Sequence, residues 1–94
     1  MVLEIIGNKM DNREFNTKYA KYLEPRYYGL AINIPEIVEY LDFRFQHFIK
    51  DPEFRYSQIK VKFGYIRVYS TLSSELCTEL EEDCQVILNS IREK

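Results

Sequence analysis

The chain has 94 residues, enough for one domain and too few for two. Hydrophobic residues at 46% with 30% charged describe a globular protein rather than a disordered or fibrous one. Thirteen basic against fifteen acidic side chains leave a net charge of −2, so direct nucleic-acid binding and attraction to anionic lipid are not expected.

Residues 2–6, VLEII, are β-prone and are stopped by Gly7 and Asn8, which predicts a short strand. The opening MVLEIIGNK has no basic start and no long apolar stretch, and it does not read as a signal peptide. Asp11 and Glu14 have capping-box spacing, with Asp in place of the usual Ser or Thr. Phe15, Tyr19, Tyr22 and Leu23 then share one helical face. Pro25 disfavours helix at Glu24, so a first helix is predicted over 12–23. Residues 24–34, EPRYYGLAINI, read as a connector that turns near Gly29.

Pro35 suits the first turn of a second helix, with Asn33 or Ile34 before it. Ile37, Val38, Leu41, Phe45, Phe48 and Ile49 trace its apolar stripe, and Asp51-Pro52 ends it, giving 35–50. Over 56–69 the pattern changes to period two. A hairpin turning at Phe63-Gly64 sets Val61 opposite Ile66 and Ile59 opposite Val68 on one face. All four aliphatics then share that side, which supports the register, and they are expected to face the second helix. Phe-Gly is not the favoured turn pair, so a one-residue offset or a bulge is compatible with the pattern. Ser73 or Ser74 can cap a last helix over 74–92, with Cys77, Leu80, Cys84, Ile87, Leu88 and Ile91 inward. The expected fold is a single α+β domain over 1–94. About three helices pack on an antiparallel hairpin, with a possible third strand from the N-terminus.

Chemistry-bearing residues are sparse. Cys77 and Cys84 are seven apart, about 10 Å along a helix, too far for a disulfide. Buried free thiols follow, which fits a reducing cytoplasm. His47 has no serine, cysteine or acid at a catalytic spacing, and the three glycines are isolated, so no phosphate loop is present. The residues point to no enzyme, no cofactor and no metal. Acid pairs such as Glu81–Glu82 read as a solvated helix face.

Charge is segregated, however. Residues 55–70 hold Arg55, Lys60, Lys62 and Arg67 and no acid, while 73–94 hold six acids and two bases. The predicted register puts Gln58, Lys60, Lys62, Tyr65, Arg67 and Tyr69 on the hairpin's second face, with Lys60 opposite Arg67. Like charges directly opposite each other are destabilising. One reading is internal: Glu75, Glu79 or Asp83 of the acidic helix 74–83 neutralises the strip. Another is an anion site, in which Arg67 offers a planar fork and the tyrosines offer rings. A third is charged protection of a sheet edge. Eight tyrosines accompany this pattern. Tyr19, Tyr22 and Tyr40 are expected in helices with their hydroxyls outward. Tyr27 and Tyr28 sit in the connector beside Arg26.

The segment Asp51-Pro52-Glu53-Phe54, followed by Gln58-Ile59-Lys60-Val61-Lys62-Phe63-Gly64-Tyr65-Ile66-Arg67-Val68-Tyr69, resembles a group of small bacterial and phage proteins. They share a Gln-hydrophobic-Lys-x-Lys-Phe-Gly-x-hydrophobic-Arg-x-Tyr core between two helices. The resemblance covers about 29–90, with its specific part in 51–69. Group members often carry Gly-Trp where this chain has Gly29-Leu30, and many end in a Cys-x-x-Cys-Gly-like segment absent here, so no metal role carries over. The resemblance implies a mobile-element origin. The motif's polar members, Gln58, Lys60, Lys62, Arg67 and Tyr69, coincide with the hairpin's second face.

Two functions fit. The first is a non-catalytic binding protein that inhibits or neutralises a host or rival macromolecule, as a defence-system inhibitor or an immunity-like partner. The acidic helix would then mimic nucleic-acid charge in one variant, and a homo-oligomer is compatible with it. The second is a binder of a small anionic ligand, a nucleotide or phosphate, on the hairpin's cationic face.

Overall fold

The computed structural model describes residues 10–93. The strand expected at 2–6 lies outside the described residues. Helix α1 spans Asn12–Lys18 and is followed by a 3-10 turn at Ala20–Tyr22. Strand β1 is Gly29–Ala31, α2 is Pro35–Phe48, β2 is Tyr56–Lys62, β3 is Tyr65–Ser70 and α3 is Ser74–Arg92. The fold is α+β, and the described residues form three α-helices and a mixed three-stranded sheet in the order β1-β2-β3.

Local chemistry explains the helix ends. The Asp11 carboxylate accepts from the Glu14 N–H at 2.9 Å, meeting one of the donors a helix start leaves open. Ser73 does the same for the Leu76 N–H at 3.2 Å. Pro35 opens α2 after Ile34, whose side chain makes no cap. Helix α1 stops at Lys18, short of the expected 23, because the chain turns into the sheet. Leu23 forms a parallel bridge to Tyr56, and the Glu24 N–H donates to the Tyr56 carbonyl at 2.9 Å.

The third strand comes from the expected connector. β1 runs parallel to β2, with Leu30 opposite Ile59. Parallel neighbours need a long crossover, and α2 supplies it. The other edge of β1 is closed by a side chain. Asn16 Nδ2 donates to the Leu30 carbonyl at 2.9 Å, and Asn16 Oδ1 accepts from the Leu30 N–H at 2.8 Å. A Cβ on Gly29 would lie 2.4 Å from that Oδ1, and Gly29 has a φ of +70°, so glycine is required there.

The hairpin register is the expected one: Val61 faces Ile66, Ile59 faces Val68, and Lys60 faces Arg67. Phe63 and Gly64 both have positive φ, 53° and 82°, as a two-residue type I′ turn requires. The irregularity lies at the strand's other end. Ser57 is an extra residue between the Tyr56–Ser70 and Gln58–Tyr69 pairs. This bulge turns Tyr56 to the same side as Ile59, so both are fully buried.

One face of the sheet meets the helices. Leu30, Ile59, Ile66 and Val68 are buried against α2 and α3 residues including Ile37, Leu41, Leu80 and Cys84. Val61, expected among them, is exposed near the hairpin tip. Phe45 is the hub of the core. Its ring lies 4.9 Å from Phe15 and 5.1 Å from each of Tyr19, Phe54 and Tyr56. Truncating such a ring to alanine costs about 3–5 kcal/mol. Tyr19 is fully buried, and its hydroxyl, expected to point outward, donates to Asp42 Oδ1 at 2.5 Å.

Candidate functional site

The other face of the sheet carries Ala31, Gln58, Lys60, Lys62, Tyr65, Arg67 and Tyr69, and no described helix or strand covers it. This follows from the pleat: alternate residues point to opposite sides, and the inward set is fixed by Ile59, Ile66 and Val68. The six expected site residues are therefore brought together. Lys62, Tyr65, Arg67 and Tyr69 are exposed, and Gln58 and Lys60 are half-buried.

Two shallow depressions lie on this face. One, of about 510 Å³, is lined by Lys62, Phe63, Tyr65, Arg67, Tyr69 and Glu81. The other, of about 330 Å³, is lined by Tyr27, Ser57, Gln58, Lys60 and Tyr69. Tyr69 belongs to both. Tyr27 reaches the face because Glu24–Tyr27 forms a turn, with the Tyr27 N–H donating to the Glu24 carbonyl at 3.3 Å. Pro25 suits the turn's second position, and Arg26 takes a φ of 73° at the third, where glycine is usual. The bond from the Glu24 N–H to Tyr56 pins that turn beside β2.

The acids of α3 are engaged elsewhere. Arg44 of α2 bonds Glu79 at 2.5 Å and lies 3.5 Å from Asp83. It also donates to the Tyr40 hydroxyl at 2.9 Å, and that hydroxyl donates to Asp83. The bond to Glu79 raises the Arg44 pKa further. Glu75 lines a separate acidic depression with Glu79, Glu82 and Asp83. Among the described residues no carboxylate pairs with Lys60, Lys62 or Arg67. Internal neutralisation by Glu75, Glu79 or Asp83, the first reading of the strip, is not what the structure shows.

Among the described residues Glu81 is the one acid at the rim, and it has a structural partner. Its Oε2 accepts from the Val68 N–H at 2.9 Å, while Gln85 Oε1 accepts from the Ile66 N–H at 3.1 Å. Two outward N–H groups of edge strand β3 are thus satisfied by α3 side chains rather than by another strand. Gln85 and Arg92 also donate to the Gly64 carbonyl, holding the hairpin tip against α3.

Other candidates have structural roles. His47 is exposed, with its Nδ1 3.1 Å from the Phe43 carbonyl one helical turn back. Both cysteines are free. Cys84 is buried, and desolvation pushes its thiol up to about 12. Cys77, expected to be buried too, is half-buried, with Sγ 3.3 Å from Ser70 Oγ. No helix of the described residues is long and apolar enough to cross a membrane.

Sequence reasoning missed Tyr27, Ser57, Phe63 and Glu81 as members of this surface. The Arg26-Tyr27-Tyr28 cluster was a visible signal for the first, but only the turn and the parallel strand bring it to Gln58. No protein-family model, curated protein or solved structure matches the chain.

Proposed function

We propose that the protein is a non-catalytic binding protein that takes a phosphate-bearing ligand, such as a nucleotide, on the outer face of its sheet. The observation that carries this is the Lys60–Arg67 pair: two cations face each other with no carboxylate partner among the described residues. An anion between or above them relieves the repulsion. Arg67 can grip two phosphate oxygens with its fork, Lys60 and Lys62 act as point charges, and the tyrosines offer flat apolar faces. The resemblance of the 51–69 segment to small bacterial and phage proteins supports a mobile-element origin.

Thermal melts with inorganic phosphate and a nucleotide panel test the reading. A ligand that binds only the folded form at a hundred times its Kd stabilises by about 2.7 kcal/mol. The melting temperature should rise with at least one anion, and Arg67→Ala should fold normally and lose the rise. A melt unchanged by every anion would refute it.

A second reading, inhibition of a host or rival protein, is favoured by Phe63. This ring at the hairpin tip is 90% exposed beside Tyr65 and Arg67, a composition enriched at protein interfaces.

A further inference from the structure

The two depressions adjoin at Tyr69, which lines both. Along β3 the outer face reads Tyr65, Arg67, Tyr69, three flat groups at steps of about 6.8 Å. Beside it on β2 the same face reads Lys62, Lys60, Gln58, paired in register with them. Tyr27 extends the surface past Gln58. A row of rings and guanidinium thus runs alongside a row of ammonium groups and an amide. Each row is longer than one nucleotide.

We infer that this face binds single-stranded nucleic acid, with bases stacked on Tyr65, Tyr69 and Tyr27 and phosphates following Lys62, Lys60 and Arg67. The inference rests on the anion-binding reading above and names its ligand class. Unpaired bases present π-faces that stack on aromatic side chains, whereas in a duplex those faces are already stacked. The lysine row supplies the charge that tracks a sugar–phosphate backbone. Glutamine adds a group able to bond a base edge or a phosphate.

The net charge of −2 argued against nucleic acid for the molecule as a whole. Its distribution reverses that locally. Glu79 and Asp83 are held by Arg44, and Glu81 is the one acid among the residues lining the two depressions. With no long-range attraction, binding depends on these few contacts. Three neutralised phosphates give a slope of about −2 in the logarithm of the association constant against log salt for a single strand. Affinity should therefore fall roughly 15- to 20-fold between 50 and 200 mM salt.

Fluorescence anisotropy with labelled oligothymidylates of two, four and eight nucleotides tests this. Unlabelled thymidine monophosphate, inorganic phosphate and a duplex of the longest length serve as competitors. Affinity should rise at least tenfold from two to four nucleotides or more, and the duplex should compete poorly. Tyr65→Leu and Lys62→Gln should each weaken binding severalfold with an unchanged circular dichroism spectrum. Equal binding of monophosphate and oligonucleotide would overturn this inference and leave the anion-binding reading standing. Equal binding of duplex and single strand would also overturn it. No binding of any of these probes would remove both. Binding untouched by Tyr65→Leu and Lys62→Gln together would assign the oligonucleotide to another surface and contradict the proposal.

Discussion

Lys60 and Arg67 stand directly opposite each other on adjacent antiparallel strands, and neither meets a carboxylate among the described residues. Such a pair weakens the sheet slightly. Lys60→Glu replaces repulsion with attraction across the same register. It should stabilise the protein by about 0.2–1 kcal/mol and abolish the thermal response to anions. Urea melts with and without ligand measure both. A less stable variant that still responds would contradict the arrangement.

Glu81 gives a prediction of opposite sign. Its carboxylate accepts from the Val68 N–H, and the residue lines the same depression as Arg67. Glu81→Gln keeps an acceptor for that N–H and removes the charge. Stability should change little, and anion affinity should rise. Glu81→Ala loses the acceptor and should cost about 1–3 kcal/mol, or less where water replaces it. Titration calorimetry on the Gln variant decides the first point.

Phe63 holds a φ of 53° at the turn, and its ring is 90% exposed. A bulky residue in that conformation is strained, and asparagine tolerates it. Phe63→Asn should stabilise by about 0.5–1 kcal/mol. If Phe63 anchors a protein partner, the same change should also abolish that contact, which a binding assay would reveal.

Much of this hairpin was legible because its aliphatics alternate without exception from Ile59 to Val68. That alternation fixes the outer face and therefore six of the site residues. Two features were not legible. β1 is three residues long, and its partners are Gln58, Ile59 and Lys60 on one side and the Asn16 side chain on the other. Neither contact leaves a local pattern. The Ser57 bulge also inverts the parity of Tyr56, so simple alternation sends a core ring outward. Helix α1 ends early for a similar reason: the Leu23–Tyr56 bridge is formed between residues far apart in the chain.

Alkaline pH should weaken the fold. Burial raises the Cys84 thiol from 9.0 to about 12 and the Tyr56 hydroxyl from 10.0 to about 12. Tyr19 and Tyr40 are raised as well, by burial and by their bonds to Asp42 and Asp83. In the unfolded chain these groups release their protons near their ordinary values, while the folded state retains them. Stability is therefore fully present below about pH 9 and is lost progressively as pH rises towards 12. Urea midpoints at pH 7, 9 and 10.5 should fall in that order. A thiol reagent at pH 8 should modify half-buried Cys77 first, with Cys84 protected until the protein unfolds.

The proposed ligand surface is the outer face of the sheet. Chemical-shift mapping by two-dimensional NMR, with labelled protein titrated with a four-nucleotide oligothymidylate, tests it most directly. The largest shifts should fall on Tyr27, Gln58, Lys60, Lys62, Tyr65, Arg67 and Tyr69, with Glu79, Asp83 and His47 unmoved. Shifts confined to α2 and the acidic half of α3, or none at saturating ligand, would contradict it.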